Sequence, residues 1–218
     1  MDVITNNLDL WGEVLVGTLI LFFGGGLVAL ILGTIVGAMR VSPIPVARAV
    51  GTIYVNIIRN TPLTLVFFAF AFALPPILGL RLTGDVSLTL AISALGIYTA
   101  TYVAETIRSG INTVPVGQAE AARALGMTFG QVMGFVVMPQ AFRSVIPPMM
   151  SVFIALLKNT TVAAGFSVVN LGSIRNYLSE RGENQFIVIL WVMAIFVALV
   201  LVLSFVQRTL ENRWKVAR

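Results

Sequence analysis

The chain has 218 residues, of which 58% are apolar and only 11% charged, against the roughly 25% charged residues of a soluble globular domain; its mean hydropathy is +0.96. This is the composition of a polytopic membrane protein. The absence of cysteine and histidine excludes disulfides, thiolate or imidazole metal sites and any catalytic centre built on either side chain.

Five apolar stretches reach the length that a hydrocarbon core of about 30 Å requires, at about 14–39, 52–75, 87–108, 141–163 and 185–207. The first carries no charge from Val14 to Met39 and is closed by Arg40. Asp2, Asp9 and Glu13 precede it where a cleavable signal would be basic, so it is expected to remain as a span. Gly33 and Gly37 give it the G-x-x-x-G spacing of close helix packing. The second span carries Asn56, Arg59 and Asn60 and ends at Pro75–Pro76; the third carries Thr99, Thr101, Glu105 and Arg108. The fourth holds Pro147–Pro148, breakers that a span tolerates when its neighbours satisfy the freed backbone groups, and then Lys158, Asn159, Thr160 and Thr161. The fifth is uninterrupted from Phe186 to Phe205. No useful repeat period appears, and residues 1–218 are expected to form one all-α membrane domain.

An odd number of spans puts the termini on opposite sides. One face then gathers Arg40, Arg48, Arg108, Arg123, Arg143, Arg208, Arg213, Lys215 and Arg218. The other holds Asp2, Asp9, Glu13, Asp85, Glu180 and Glu183, with only Arg81, Arg175 and Arg181 as bases. The positive-inside rule makes the first face cytoplasmic, the N-terminus external and the C-terminus internal.

The segment 109–140, between spans three and four, breaks the apolar pattern with a short Ala/Gly-rich polar run. Asn112 or Thr113 can cap a helix there, and Pro115 suits its first turn, where a missing N–H costs nothing. Residues from Gln118 to Leu125 are good helix formers, and Gly126 permits a left-handed ending. Glu120 is expected near free amides in the early part of that helix. Thr128 and Gln131 have the spacing of a capping box that starts a second helix, expected to stop at Pro139. Ala119, Ala122 and Leu125 are expected to share one face of the first helix.

Polar groups inside the spans are candidate pathway residues, because charge in hydrocarbon normally faces a cavity or a partner. Arg59 and Glu105 can pair across spans two and three, as a structural ion pair or a gate, and Arg108 is an equally placed partner for Glu105. Asn56 and Asn60 share a helix face and serve as packing glue or pathway lining. Lys158, Asn159, Thr160 and Thr161 offer cation, amide and hydroxyls together in the outer part of span four, while the alternative for Lys158 is to snorkel to the outer headgroups. Thr99 and Thr101 add hydroxyls in span three.

Glu120, Ala121, Ala122, Gly126 and Pro139 resemble the cytoplasmic signature loop of bacterial ABC-importer permeases. The blocks VPVGQAEAARALGM, MPQAFRSVIPP, RNTPL, YVAETIRSGI and LKNT are similar, in order, to permeases of the polar amino acid type. RNTPLTLV, YVAETIRSGINTV and KNTT look closest to permeases of actinobacterial glutamate importers, with Gly134 standing where many relatives are basic. The resemblance implies a type I ABC importer permease in a bacterial plasma membrane, with five transmembrane helices and a cytoplasmic coupling loop. Gln118, Glu120, Ala121, Ala122, Leu125 and Gly126 would then form a knob seated in an ATPase. The implied partners are two ATPase subunits, a second permease that is a different chain, and an extracellular solute-binding protein; no nucleic acid is implied. The sequence has no G-x-x-x-x-G-K-[ST] loop, so the resemblance puts ATP and magnesium on the partner ATPases, no cofactor on this chain, and no enzyme activity in it.

Glutamate, with a net negative charge, suits Lys158, the lone lysine beside Asn159 and Thr160 in an otherwise apolar outer half; glutamine, aspartate or arginine are the alternative solutes. Outside this class, a proton-coupled carrier titrating Glu105 is the nearest rival, ahead of an ion channel or small membrane enzyme. A headgroup-bound helix is the alternative for the loop, though an Ala-rich helix offers lipid little apolar area.

Overall fold

The computed structural model describes residues 2–81 and 83–214; Lys215 and Arg218 lie outside the described residues, as do the side chains of Asp2 and Arg213. Among the described residues every regular element is helical. The chain opens with α1 (Asp2–Thr5) and α2 (Leu8–Val41). The 34 residues of α2 extend well past the apolar stretch at 14–39, because Trp11 and Val14 find a core to pack on with Leu171, Ile174 and Leu178. The partner of α2 through the membrane is α6 (Gly84–Asn112). Missing side chains bring the two backbones together: a Cβ on Gly33 would lie 2.5 Å from Val103 Cβ, and one on Gly96 would lie 2.4 Å from Val28 Cγ1. The G-x-x-x-G spacing in span one is therefore a packing device.

Span two is not the single helix expected over 52–75. It consists of α3 (Pro45–Asn60), α4 (Leu63–Phe68), a π-turn at Ala69–Ala73 and α5 (Leu74–Leu78). Its two halves are bent by 101° at Thr61–Pro62. Thr61 is extended, with φ −87° and ψ 130°, the conformation that a following proline ring imposes. With this bent pair counted as one, the chain has up to five crossings; the other four are α2, α6, residues 129–166 and α11 (Gln185–Trp214).

The segment between spans three and four, named the inner loop below for the orientation expected from the sequence, folds as α7 (Val116–Ala124), α8 (Phe129–Gln131) and a second π-turn at Val132–Val137, followed directly by α9 (Met138–Asn159). Pro139 does not stop the second inner helix as expected. It sits in the first turn of α9, and residues 129–166 run on as one 38-residue helical rod. Each π-turn is separated by one residue from a following proline, Pro75 and Pro139 respectively. A proline ring collides with the carbonyl four residues back and supplies no N–H to it, and a widened turn is one way a helix accommodates that defect.

Beyond α9, a 3₁₀ segment (Thr160–Phe166) leads into a cap, the outer cap in the same expected orientation, built from residues 168–173 and α10 (Ile174–Glu180). Thr18 Oγ1 donates to Val14 O at 2.8 Å and accepts the Leu171 N–H at 2.9 Å. Arg181 donates to Asn7 Oδ1 at 2.6 Å, and Asn7 Nδ2 donates to Glu183 Oε1 at 3.1 Å. The apolar surface of α11 is mostly uncovered.

Candidate functional site

Two sets of residues carry chemistry: the inner loop and a polar cleft within the spans. In the loop, Pro115 is the N-cap residue of α7, with φ −59° and ψ 132°, rather than part of its first turn, and neither Asn112 nor Thr113 caps it. Glu120 consequently lies past the first turn, out of direct reach of the free amides. Gly126 ends α7 with φ +86°, and the Met127 N–H returns to Ala122 O at 3.2 Å, a left-handed ending that strains any residue with a Cβ. Thr128 and Gln131 form the capping box, with the Thr128 N–H donating to Gln131 Oε1 at 2.8 Å.

The faces of α7 differ from expectation. Ala122 is buried against Val132 and Val137 of the π-turn, with Ala119 packed beside them, so the small side chains admit the loop's own second helix. Leu125 has left the regular helix, with φ −80° and ψ 6°, and is 85% exposed. Val116 and Phe129 are exposed with it, as are Glu120 and Ala121. Gln118 accepts from Gln140 Nε2 at 2.5 Å.

Within the spans, Arg59 and Glu105 do not pair. The Glu105 carboxylate is taken by Arg40, at the end of α2, and by Arg108, whose Nε lies 3.2 Å from Oε1. Arg59 instead lies over the Tyr102 ring, 5.5 Å from its centroid. A guanidinium is attracted to the negative face of an aromatic ring, and the break at Thr61–Pro62 leaves Arg59 in the last turn of α3. Asn60 Nδ2 bonds Asn56 O at 2.7 Å, securing the same helix end.

Lys158, Asn159, Thr160 and Thr161 do not converge, because successive residues of a helix point about 100° apart. Thr160 is buried and bonded to Leu157 O at 2.7 Å. Lys158 and Thr161 line an apolar cleft against Phe196, Val197 and Val200 of α11. Asn159 alone reaches a cleft of about 400 Å³ between α6 and α9, lined by Tyr98, Thr99, Tyr102, Ser151, Val152, Ala155 and Leu156. There the Tyr98 and Tyr102 hydroxyls are hydrogen-bonded at 3.1 Å. Thr99 Oγ1 is buried with no hydrogen-bond partner among the described residues, a costly arrangement that marks a place for a polar ligand or water. Thr101 does not reach this cleft; it is buried and bonded to Tyr98 O at 2.7 Å.

Tyr98, Tyr102 and Ser151 were not among the sequence candidates. Their signal was present as spacing: Tyr98 and Tyr102 are four apart on α6, and Ser151, Ala155 and Asn159 are four apart on α9, so each set forms one stripe. Among the described residues no group of three or more acidic side chains could hold a metal ion.

Comparison with known proteins matches residues 15–216 to a family described as binding-protein-dependent transport system inner membrane component. The glutamate transport system permease protein GluC of Corynebacterium glutamicum is 46% identical over 176 residues, covering 77% of this chain and 76% of its own. The probable glutamine ABC transporter permease protein GlnP of Bacillus subtilis is 37% identical over 207 residues, covering 94% and 93%. A crystal structure of an amino acid ABC transporter with histidines superposes with a TM-score of 0.89 at 29% identity, covering 96% of both chains.

Proposed function

Since the chain belongs to the binding-protein-dependent transport system inner membrane components and is the permease subunit of an ABC amino-acid importer, not itself catalytic, we propose that its solute is glutamate, taken through the cleft between α6 and α9. Its all-α fold is the type I ABC importer permease architecture. The observation that carries the solute reading is the set of polar groups around that cleft, one of them buried without a partner among the described residues. Tyr98, Tyr102 and Asn159 provide hydroxyls and an amide, Thr99 Oγ1 awaits a partner, and Arg59 stands beside them over Tyr102. Arg59 has no carboxylate partner among the described residues, and a carboxylate of the solute supplies the missing anion; Lys158, in the apolar cleft against α11, is not beside this path. The 46% identity to a glutamate permease supports the same solute.

In this reading the importer contains a second, different permease chain, two ATPase subunits that hold ATP and magnesium, and an external solute-binding protein. The N-terminus and the outer cap face that delivery protein, and the C-terminus is cytoplasmic, as the distribution of bases supports. The exposed apex of the inner loop, Leu125 with Val116 and Phe129, seats in an ATPase. Glu120, Ala121 and Gly126 shape that apex, while Ala122 and Gln118 hold it to the rest of the loop.

The test is uptake of labelled glutamate by the whole complex in proteoliposomes. Arg59→Gln should lower uptake about tenfold, the order of one charge-assisted hydrogen bond, with the ATPases still bound, and Lys158→Gln, in the separate cleft, should lower it far less. Excess unlabelled glutamine or arginine that abolished uptake, where excess glutamate did not, would overturn the solute and leave the permease class standing. Uptake driven by a proton gradient without the ATPases would favour the Glu105-based carrier instead.

A further inference from the structure

We infer that the hydrogen bond between Gln118 and Gln140 is the link by which α7 moves span four, with Gln140 as the positioning residue; this rests on the reading of the inner loop as the ATPase-coupling element. Between α7 and the transmembrane part of α9 lies the π-turn at 132–137. It is followed, after Met138, by Pro139, which has no N–H for the helix ladder. Such a turn lacks the regular bonding that stiffens an α-helix. The buried apolar contacts of α7 fall on this turn: Ala122 packs on Val132 and Val137. A push on α7 delivered through those contacts alone reaches a widened turn of the rod and not the α-helix beyond it.

Gln140 bypasses that turn. It lies in the first turn of α9, beyond Pro139, and its Nε2 donates both to Gln118 Oε1 at 2.5 Å and to Val136 O at 2.8 Å. One amide group thus ties α7, the end of the π-turn and the start of α9 together. The second cross-link to α9 nearby, Thr113 Oγ1 to Ser144 Oγ at 3.1 Å, comes from the end of α6 and joins spans three and four without engaging α7. The Gln118–Gln140 clamp makes α7 and α9 one lever, so that displacement at the Leu125 apex is delivered to the α9 face that carries Ser151 and Asn159.

The experiment compares labelled-glutamate uptake with ATP hydrolysis in proteoliposomes holding the complete complex and its delivery protein. Gln140→Leu should lower uptake per ATP about fivefold, the factor that one neutral hydrogen bond is worth. Gln140→Lys alone should also be low, and adding Gln118→Glu to it should restore the ratio through a charged version of the same link. Because the chain has no cysteine, spin labels at Arg123→Cys and Arg143→Cys, both exposed, give a second readout that needs no solute. ATP-vanadate trapping should leave their distance distribution narrow in the parent and broad in Gln140→Leu. A parental uptake-to-hydrolysis ratio in Gln140→Leu, or no improvement of the double variant over Gln140→Lys, would overturn the clamp. Leu125→Asp separates the two readings: if it left uptake coupled, the coupling role of the loop itself would fail, whereas uncoupling by Leu125→Asp but not by Gln140→Leu sinks only the clamp.

Discussion

The inner loop and the outer cap are both short non-spanning segments, yet they draw differently on the rest of the chain. The loop takes its turns from near neighbours, the left-handed Gly126, the return of Met127 to Ala122 and the Thr128–Gln131 box, and its longer bonds, Gln118–Gln140 and Thr113–Ser144, reach only the helix that follows it. The cap also has local bonds, Asn170 with Gly172 and Ser173, but is fastened to the far end of the chain, Thr18 with Leu171 and Asn7 with Arg181 and Glu183. It also rests on a shared core in which Trp11 and Val14 of α2 meet Leu171, Ile174 and Leu178. The difference fits the task proposed for each: a loop that is to transmit movement presents an exposed apex, whereas a cap gains rigidity from the span it covers.

That contrast can be broken from the cap side first. Gly17 lies so close to the cap that an added Cβ would stand 2.1 Å from Val169 O. Gly17→Val should therefore cost about 3 kcal/mol or more, the upper range for overpacking, read as a large fall in the thermal unfolding midpoint of the purified subunit. Thr18→Val is milder and more specific. It keeps the shape but removes the acceptor of the Leu171 N–H, leaving a buried donor unpaired at a cost of about 2 kcal/mol, and hydrogen exchange at Leu171 should accelerate while exchange in the inner loop stays unchanged. If exchange rose equally at both ends, the two segments would not be independently held.

The smallest stability effect is expected in the loop. Gly126→Val puts a β-branched residue at φ +86° and should cost about 1–2 kcal/mol, yet abolish most ATP-driven uptake because the turn that positions Leu125 is lost. A variant that kept full uptake would show that the loop's shape does not matter to transport. The inverse profile, a strongly destabilised protein with normal uptake per folded complex, would place Gly126 with the cap as a purely structural position.

The same local and non-local division governs how much the sequence revealed. Gly126 and the capping box were legible because each depends on residues within a few positions of one another, and the crossings were legible because apolar length is a property of one segment. Arg59 shows the limit. Its spacing allowed a pair with Glu105, but the bend at Thr61–Pro62 and the arrival of Arg40 from α2 gave Glu105 other partners and left Arg59 to the Tyr102 face. Pro139 shows it again: a proline stops a helix by local rules, and here a π-turn absorbs it so that the helix continues.

By itself, then, the sequence determined a multi-spanning all-α membrane protein, the place of its inner loop with the Gly126 ending and the Thr128–Gln131 box, and its resemblance to amino-acid importer permeases, because hydropathy, turn chemistry and ordered motifs are all read along the chain. Tertiary structure decided which polar residues meet. It separated Lys158 from Asn159 by turning consecutive side chains to different clefts, brought Tyr98, Tyr102 and Ser151 to the Asn159 cleft, and turned Ala122 inward while leaving Leu125 at the surface. These outcomes depend on how helices far apart in sequence rotate and bend against each other, which no local pattern specifies.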